Sequence, residues 1–398
     1  MHSENEHPAG YRGTVAALAI GQLFCWGALF YAFSMFVLPM HAALGWSKPA
    51  IMGAFTLGLA MWGVTSYAAG AAIDRGHDRA VMSLGAALAG AGFLAWSQVQ
   101  SLWQLYLAWA VMGAAMAPCL YESAFSVVTR RFPGRYQQAI TALTLVGGFA
   151  STVCFPAVTA MIATCGWRWA LVVIGLVLLL GVAPLHALAL RRPVPRAQPT
   201  VHTPSEDAAE SATLHEALRH RYFWLLTLSF TLYAFVSAAL WAHVMPALAS
   251  KGVNEAAALA VVTWVGPAQV LGRVVWLGVG RWIGQRALGL AVLGAFPLAL
   301  AIFAWGERLP VLVAFALLFG IVNGLVTIVR GNVVPEYFGR AHVGRISGAM
   351  SAIALFSRAA APLATAGLLM VLPSYREVLL VLCLLGVGTW LAYAAARR

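Results

Sequence analysis

The sequence predicts an all-α integral membrane protein with twelve transmembrane helices in two six-helix bundles. Three observations carry that expectation. Of 398 residues, 61% are hydrophobic and 10% charged, with a mean hydropathy of +0.81, where a soluble domain carries about 25% charged residues. The apolar residues collect in a dozen stretches of the ~20 residues that a spanning helix needs. A polar segment, "RRPVPRAQPTVHTPSEDAAESATLHEALRHR", then separates six of them from the other six.

In chain order the expected spans are 13–40, 50–73, 80–98, 103–128, 138–163, 168–190, 222–247, 256–280, 287–305, 310–335, 346–372 and 378–396. The first follows a polar start, "MHSENEHPAGYRG", but is too long for a signal-peptide core and has no A-x-A-like cleavage site nearby, so it is read as a helix. The stretches are continuous and rich in Leu, Ala and Gly, unlike the ~10-residue alternating segments of a β-barrel. Residues 191–221 form a cytoplasmic linker ending in a short amphipathic helix from about Thr213, which sets the bundles at 1–190 and 222–398.

The halves are related as a repeat. Phe132 and Phe338, Ile140 and Ile346, and Pro156 and Pro362 recur at a spacing of 206 residues across the fourth-to-fifth and tenth-to-eleventh spans. Parallel repeats of six spans suit alternating access around a central site.

The net charge of +12 would suggest nucleic acid until the basic residues are placed. With both termini cytoplasmic, seventeen of the 25 lie in inside segments, including Arg130, Arg131 and Arg135. The outside loops hold Lys48, Arg168, Lys251, Arg308 and Arg376. This bias is the positive-inside rule, so the charge is a topological address and no nucleic acid is expected. The location it implies is the cell's inner (plasma) membrane. Five cysteines show no metal spacing, and Cys25, Cys119, Cys154 and Cys383 fall in spans as small packing residues. Walker A, H-E-x-x-H and G-x-S-x-G patterns are absent, so neither a cofactor nor catalysis is expected.

The link after the second span, "GAAIDRGHDR", resembles the signature G-x-x-x-D-R-x-G-R-R of the major facilitator superfamily at Gly70, Asp74, Arg75 and Arg79. His77 stands at the second glycine and Asp78 at a basic position, and the second-half counterpart "GVGRWIGQR" lacks the Asp. The resemblance implies a conformational latch on one side of the molecule. "LGWSKPAI" after the first span is similar to the GWS segment of monocarboxylate carriers and oxalate:formate antiporters, and "CGWRW" to a common superfamily loop. The fifth-helix G-P-x-x-G-G pattern of family antiporters is absent, so nothing points to drug antiport.

Ionisable residues inside spans are the sharpest signal, because a charge at the bilayer centre costs ~2.5–3.5 kcal/mol even on the permissive insertion scale. Four qualify: Glu122, Arg273, Arg330 and Arg358. Arg358 lies twelve residues beyond Ile346, about 18 Å of helical rise and near mid-membrane. In the antiporter family one basic residue on each of the eighth and eleventh helices binds substrate carboxylates. The resemblance places Arg273 and Arg358 there, although the family's eleventh-helix residue is commonly Lys. A guanidinium stays charged and holds a carboxylate bidentately; the alternative is a structural pair.

Glu122 either takes up a coupled proton or pairs with an arginine, and Arg330 either snorkels or pairs with Glu336. Tyr31, Tyr121, Trp241 and Gln269, on candidate cavity helices, could line the pocket. His243 reads as hydrogen-bonded structure.

The leading expectation is a monomeric secondary active transporter in the lipid bilayer, moving a small organic anion by proton-coupled transport or exchange. Efflux of arsenite or another toxic solute, using a thiol such as Cys119, stays open. A membrane enzyme or transporter-like sensor is the third reading.

Overall fold

The computed structural model describes residues 10–191, 211–280 and 282–397. Most of the linker lies outside the described residues. Its described end enters a short helix at Leu214–Arg219. The chain divides into two compact units: Met1–Thr213 with Val334–Ala352, and Leu214–Val333 with Ile353–Arg398.

Among the described residues, eleven helices are long and apolar enough to cross a membrane: Tyr11–Leu44, Lys48–Asp74, Asp78–Ser97, Leu102–Arg131, Tyr136–Ala189, Arg221–Ser250, Ala256–Val279, Gln285–Trp305, Leu309–Phe338, Val343–Val371 and Tyr375–Ala395. The fifth has 54 residues, about 80 Å at helical rise against a ~30 Å hydrocarbon core. It is two crossings. Gly166 breaks it with φ 80° and ψ 162°, a conformation a residue with a Cβ rarely adopts. Both ends then pack on the first span: Ala139, Ile140, Leu143 and Leu190 share a core with Val15 and Leu18, and Thr14 Oγ1 donates to the Ala189 carbonyl at 3.3 Å. The twelve expected spans are therefore present.

The repeat appears as duplicated local geometry, at a spacing of 207 residues from the first span to Gly113 of the fourth, one more than the 206 that holds from Phe132 onward. After the first span Gly45 turns the chain at φ 70°, and after the seventh Gly252 does so at φ 77°. The next helices open on matched caps, Ser47 accepting from Ala50 N and Asn254 accepting from Ala257 N, which satisfies a free donor of the first turn. Within the bundles, a Cβ on Gly113 would overlap the Gly58 carbonyl, and one on Gly320 would stand 2.5 Å from the Val265 carbonyl oxygen. Small residues permit these backbone approaches.

Cations at or near the ends of spans close the C-termini of other helices. Arg168 donates to the Ser97 and Val99 carbonyls, Lys251 to Ala304 O at 3.0 Å, and Arg286 to Ala394 and Ala396 O at 3.0 and 2.8 Å. Each meets the unsatisfied carbonyls and negative dipole end of a helix C-terminus.

Two irregularities position side chains. A π-turn at Gly27–Tyr31 interrupts the first span. The fourth span breaks after Pro118 at Leu120, whose φ −90° and ψ −172° are extended, and a new helix starts at Tyr121. Carbonyls freed by that break are recovered by side chains: Ala117 O accepts from Ser123 Oγ and Cys119 O from Gln22 Nε2, both at 2.7 Å.

Candidate functional site

In the second unit, the eighth and tenth spans meet closely at Gly324, where a Cβ would stand 2.5 Å from the Gln269 carbonyl oxygen. That approach lets Arg273, 3% exposed, donate from Nε to the Gly324 carbonyl at 3.2 Å. Its Nη1 is buried and has no hydrogen-bond partner among the described residues. One residue back, Asn323 Oδ1 accepts the Tyr233 hydroxyl at 2.6 Å. The fields of three cations reach that buried tyrosine: Arg358 most strongly, then Arg273 and Arg330. Ser357 Oγ donates to Thr231 O at 3.4 Å, tying the helix of Arg358 to that of Tyr233. Among the described residues, three guanidinium groups thus lie in the same part of the bundle as the Tyr233 hydroxyl, an arrangement that suits an anion.

Gln269 is half-buried one turn before Arg273. Trp241 is 42% exposed, its ring 5.9 Å from Phe319. His243 is hydrogen-bonded structure: Nε2 lies 3.2 Å from Pro362 O and Nδ1 3.5 Å from the Tyr375 hydroxyl. The carbonyl can only accept, so Nε2 carries the proton.

The first unit holds the other candidates. Tyr31 and Tyr121 join one aromatic cluster through Trp26, whose ring lies 6.4 Å from Tyr31 and 5.0 Å from Tyr121; Tyr31 also meets Phe155 at 5.9 Å. Glu122 sits in the first turn of the helix restarted at Tyr121, where the free N–H groups and dipole attract negative charge. It borders a cavity of about 10 Å³, lined also by Ser66, Gly70, Ser123, Ser126, Gly344 and Gly348, room for about one water.

The signature link is built as follows. Asp74 accepts from Gly344 N at 2.9 Å and from Arg345 N at 2.8 Å, the two donors exposed at the start of the helix Val343–Val371. Gly70 faces Gly344 so closely that a Cβ on either would strike the other's carbonyl oxygen. Arg75 and Arg79 are exposed. Asp78, the departure from the signature, bonds Arg131 Nε at 2.7 Å in a pair 5–8% exposed, and also takes its own helix's Arg79 N at 2.8 Å. Sequence reasoning missed Tyr233, Asn323, Trp26 and the role of Asp78. One signal was available: at the repeat spacing of 207 residues Tyr233 is the counterpart of Trp26.

Twelve crossings in duplicated halves, with arginines inside one of them, define a multi-pass membrane transporter. The profile of the Major Facilitator Superfamily matches residues 18–362, and the chain belongs to that family. It is 26% identical over 304 residues, 73% of its length, to human monocarboxylate transporter 11, and it spans 63% of that relative. Among solved structures, it superposes on the human organic anion transporter TETRAN with a TM-score of 0.74 at 16% identity, covering 97% of this chain and 100% of that one. The fucose transporter FucP, an E. coli fucose:proton symporter crystallised in an outward conformation, gives a TM-score of 0.76 at 13% identity, over 96% and 98% of the two chains.

Proposed function

We propose that the protein is a secondary active transporter of a small, monocarboxylate-like organic anion, gripped by Arg273 and Arg358. The observation that carries this is Arg273: a buried guanidinium fixed through Nε to Gly324 O while Nη1 has no partner among the described residues. Burying a cationic donor without an acceptor is costly, and a carboxylate would remove that cost with charge-assisted bonds. Arg358 supplies the second charge, Tyr233 and Asn323 orient the anion, and Arg330 adds to the field. The similarity to a monocarboxylate transporter supports the substrate class.

Glu122, in the first turn of its helix beside the water-sized cavity, is the acidic group that serves either coupling or an ion pair. Tyr31, Tyr121, Trp241 and Gln269 contribute to the substrate's surroundings. Gly70 and Asp74 act as the latch, with Arg75 and Arg79 at its exposed rim. The carrier works as a monomer in the plasma membrane, both termini cytoplasmic as the positive-inside bias requires.

The test is uptake of labelled monocarboxylates into proteoliposomes under an imposed proton gradient. Wild type should accumulate the substrate and Arg358→Ala should not; equal uptake by the two overturns the assignment.

A further inference from the structure

The ninth and tenth spans, Gln285–Trp305 and Leu309–Phe338, are joined by the turn Gly306, Glu307 and Arg308. An open cavity of about 460 Å³ lies against this turn, lined by its three residues together with Ala301, Ile302, Trp305 and Val311. The lining is of two kinds. Ala301, Ile302 and Val311 are apolar, and Trp305 is 55% exposed at the end of its span, where an indole suits the membrane–water border. Glu307 and Arg308 are exposed and of opposite sign. Among the described residues, neither side chain is engaged in an ion pair or a hydrogen bond. Lys251 Nζ bonds Ala304 O, three residues before Glu307, at 3.0 Å.

The same turn of the first unit is closed and carries no charge. At the repeat spacing of 207 residues Glu307 corresponds to Gln100, Arg308 to Ser101 and Val311 to Gln104. Gln104 Oε1 accepts from Gln100 N at 2.7 Å and from Ser101 N at 3.2 Å, and Arg168 covers the preceding carbonyls of Ser97 and Val99. In the second unit a valine stands where that capping glutamine would be, and two neutral polar residues are replaced by an anion and a cation. Joining two helices requires neither charge, as the first unit shows. A ligand filling the cavity would bring an anion for Arg308, a cation for Glu307 and an apolar body for the wall beside them.

We propose that this cavity is a headgroup site for phosphatidylethanolamine, a zwitterionic phospholipid with a primary ammonium. Its phosphodiester meets Arg308, its ammonium donates to Glu307 in charge-assisted bonds, and the start of an acyl chain lies along Ala301, Ile302 and Val311. A small soluble zwitterion would leave that wall and the Trp305 ring against water, so the occupant is the lipid. A purely anionic headgroup would meet the Glu307 carboxylate with no cation to offer it. The site uses none of the residues assigned to the organic anion and would survive the failure of that reading.

The experiment is native mass spectrometry of the purified, delipidated full-length protein titrated with phosphatidylethanolamine, phosphatidylcholine or phosphatidylglycerol of matched acyl chains. Wild type should bind phosphatidylethanolamine most tightly and phosphatidylglycerol least, with phosphatidylcholine between them because its ammonium has charge but no N–H. Glu307→Gln and Arg308→Gln should each weaken phosphatidylethanolamine about two- to fivefold, the worth of one exposed ion pair. Glu307→Lys should reverse the order, favouring phosphatidylglycerol. Lys48→Gln, which removes an exposed cation at another span end, should bind like wild type, and all four variants should melt with wild type because they alter exposed side chains. Equal binding of phosphatidylethanolamine and phosphatidylglycerol by wild type, an unreversed order in Glu307→Lys, or competition by chain-free glycerophosphoethanolamine at the lipid's own concentration each overturns the proposal.

Discussion

At the repeat spacing of 207 residues, Ser66 of the first unit corresponds to Arg273 of the second, Trp26 to Tyr233 and Glu122 to Val329. Ser66 spends its hydroxyl on its own helix, bonding Trp62 O at 2.7 Å, whereas Arg273 reaches across to the tenth span at Gly324. The glycine turns and the close backbone contacts meanwhile recur in both units. Duplication has kept the parts that let helices approach and turn. The chemistry at matched positions has diverged, with the arginines in one unit and the acid in the other.

The sharpest way to break that contrast is to cut the same position in both units. Arg273→Ala should raise the half-saturating anion concentration about 10- to 150-fold, from the ~1.5–3 kcal/mol of a hydrogen bond to a charged group, and Ser66→Ala should change it by less than about threefold. Equal losses in the transport assay would mean that the units share the anion grip. The scaffold should behave in the opposite, symmetric way. Gly113→Ala and Gly320→Ala should each destabilise by about 1–3 kcal/mol through overpacking, read as a lowered melting temperature, while Gly181→Ala and Gly266→Ala, with open space around them, serve as matched controls.

Smaller effects sharpen the comparison. Asp74→Asn removes a carboxylate from the start of the helix Val343–Val371 and should cost about 1 kcal/mol in thermal denaturation. Tyr233→Phe loses the bond to Asn323, about 0.5–1.5 kcal/mol, and should weaken anion binding by up to about tenfold, with Trp26→Phe leaving it unchanged in the same titration. Arg75→Ala and Arg79→Ala, both exposed, should stay within about 0.5 kcal/mol of wild type in stability.

The spans are legible because a membrane helix must be apolar along its whole length, and the ends of all twelve fall within about four residues of expectation. Arg273 and Arg358 were legible for the complementary reason, that a charge in such a stretch is expensive. The Tyr233–Asn323 bond joins residues 90 apart in sequence, and no local pattern records it. In sequence alone Asp78 is only a departure from the signature, because its partner, Arg131, is 53 residues away. Pro118 announces the break in the fourth span, but not that Gln22, 97 residues away, would bond a carbonyl the break frees.

Trp26 and Tyr31 are five residues apart, which in an unbroken α-helix sets their side chains about 140° apart; the π-turn between them brings both into one aromatic cluster. A π-turn is in effect a one-residue insertion. Deleting Leu29 would turn everything from Phe30 to Leu44 by about 100° and carry Tyr31 off its neighbours. A relative lacking this extra residue would therefore align with this chain only across a single gap in the first span, and a gapless alignment there would match every later residue of the helix to the wrong face.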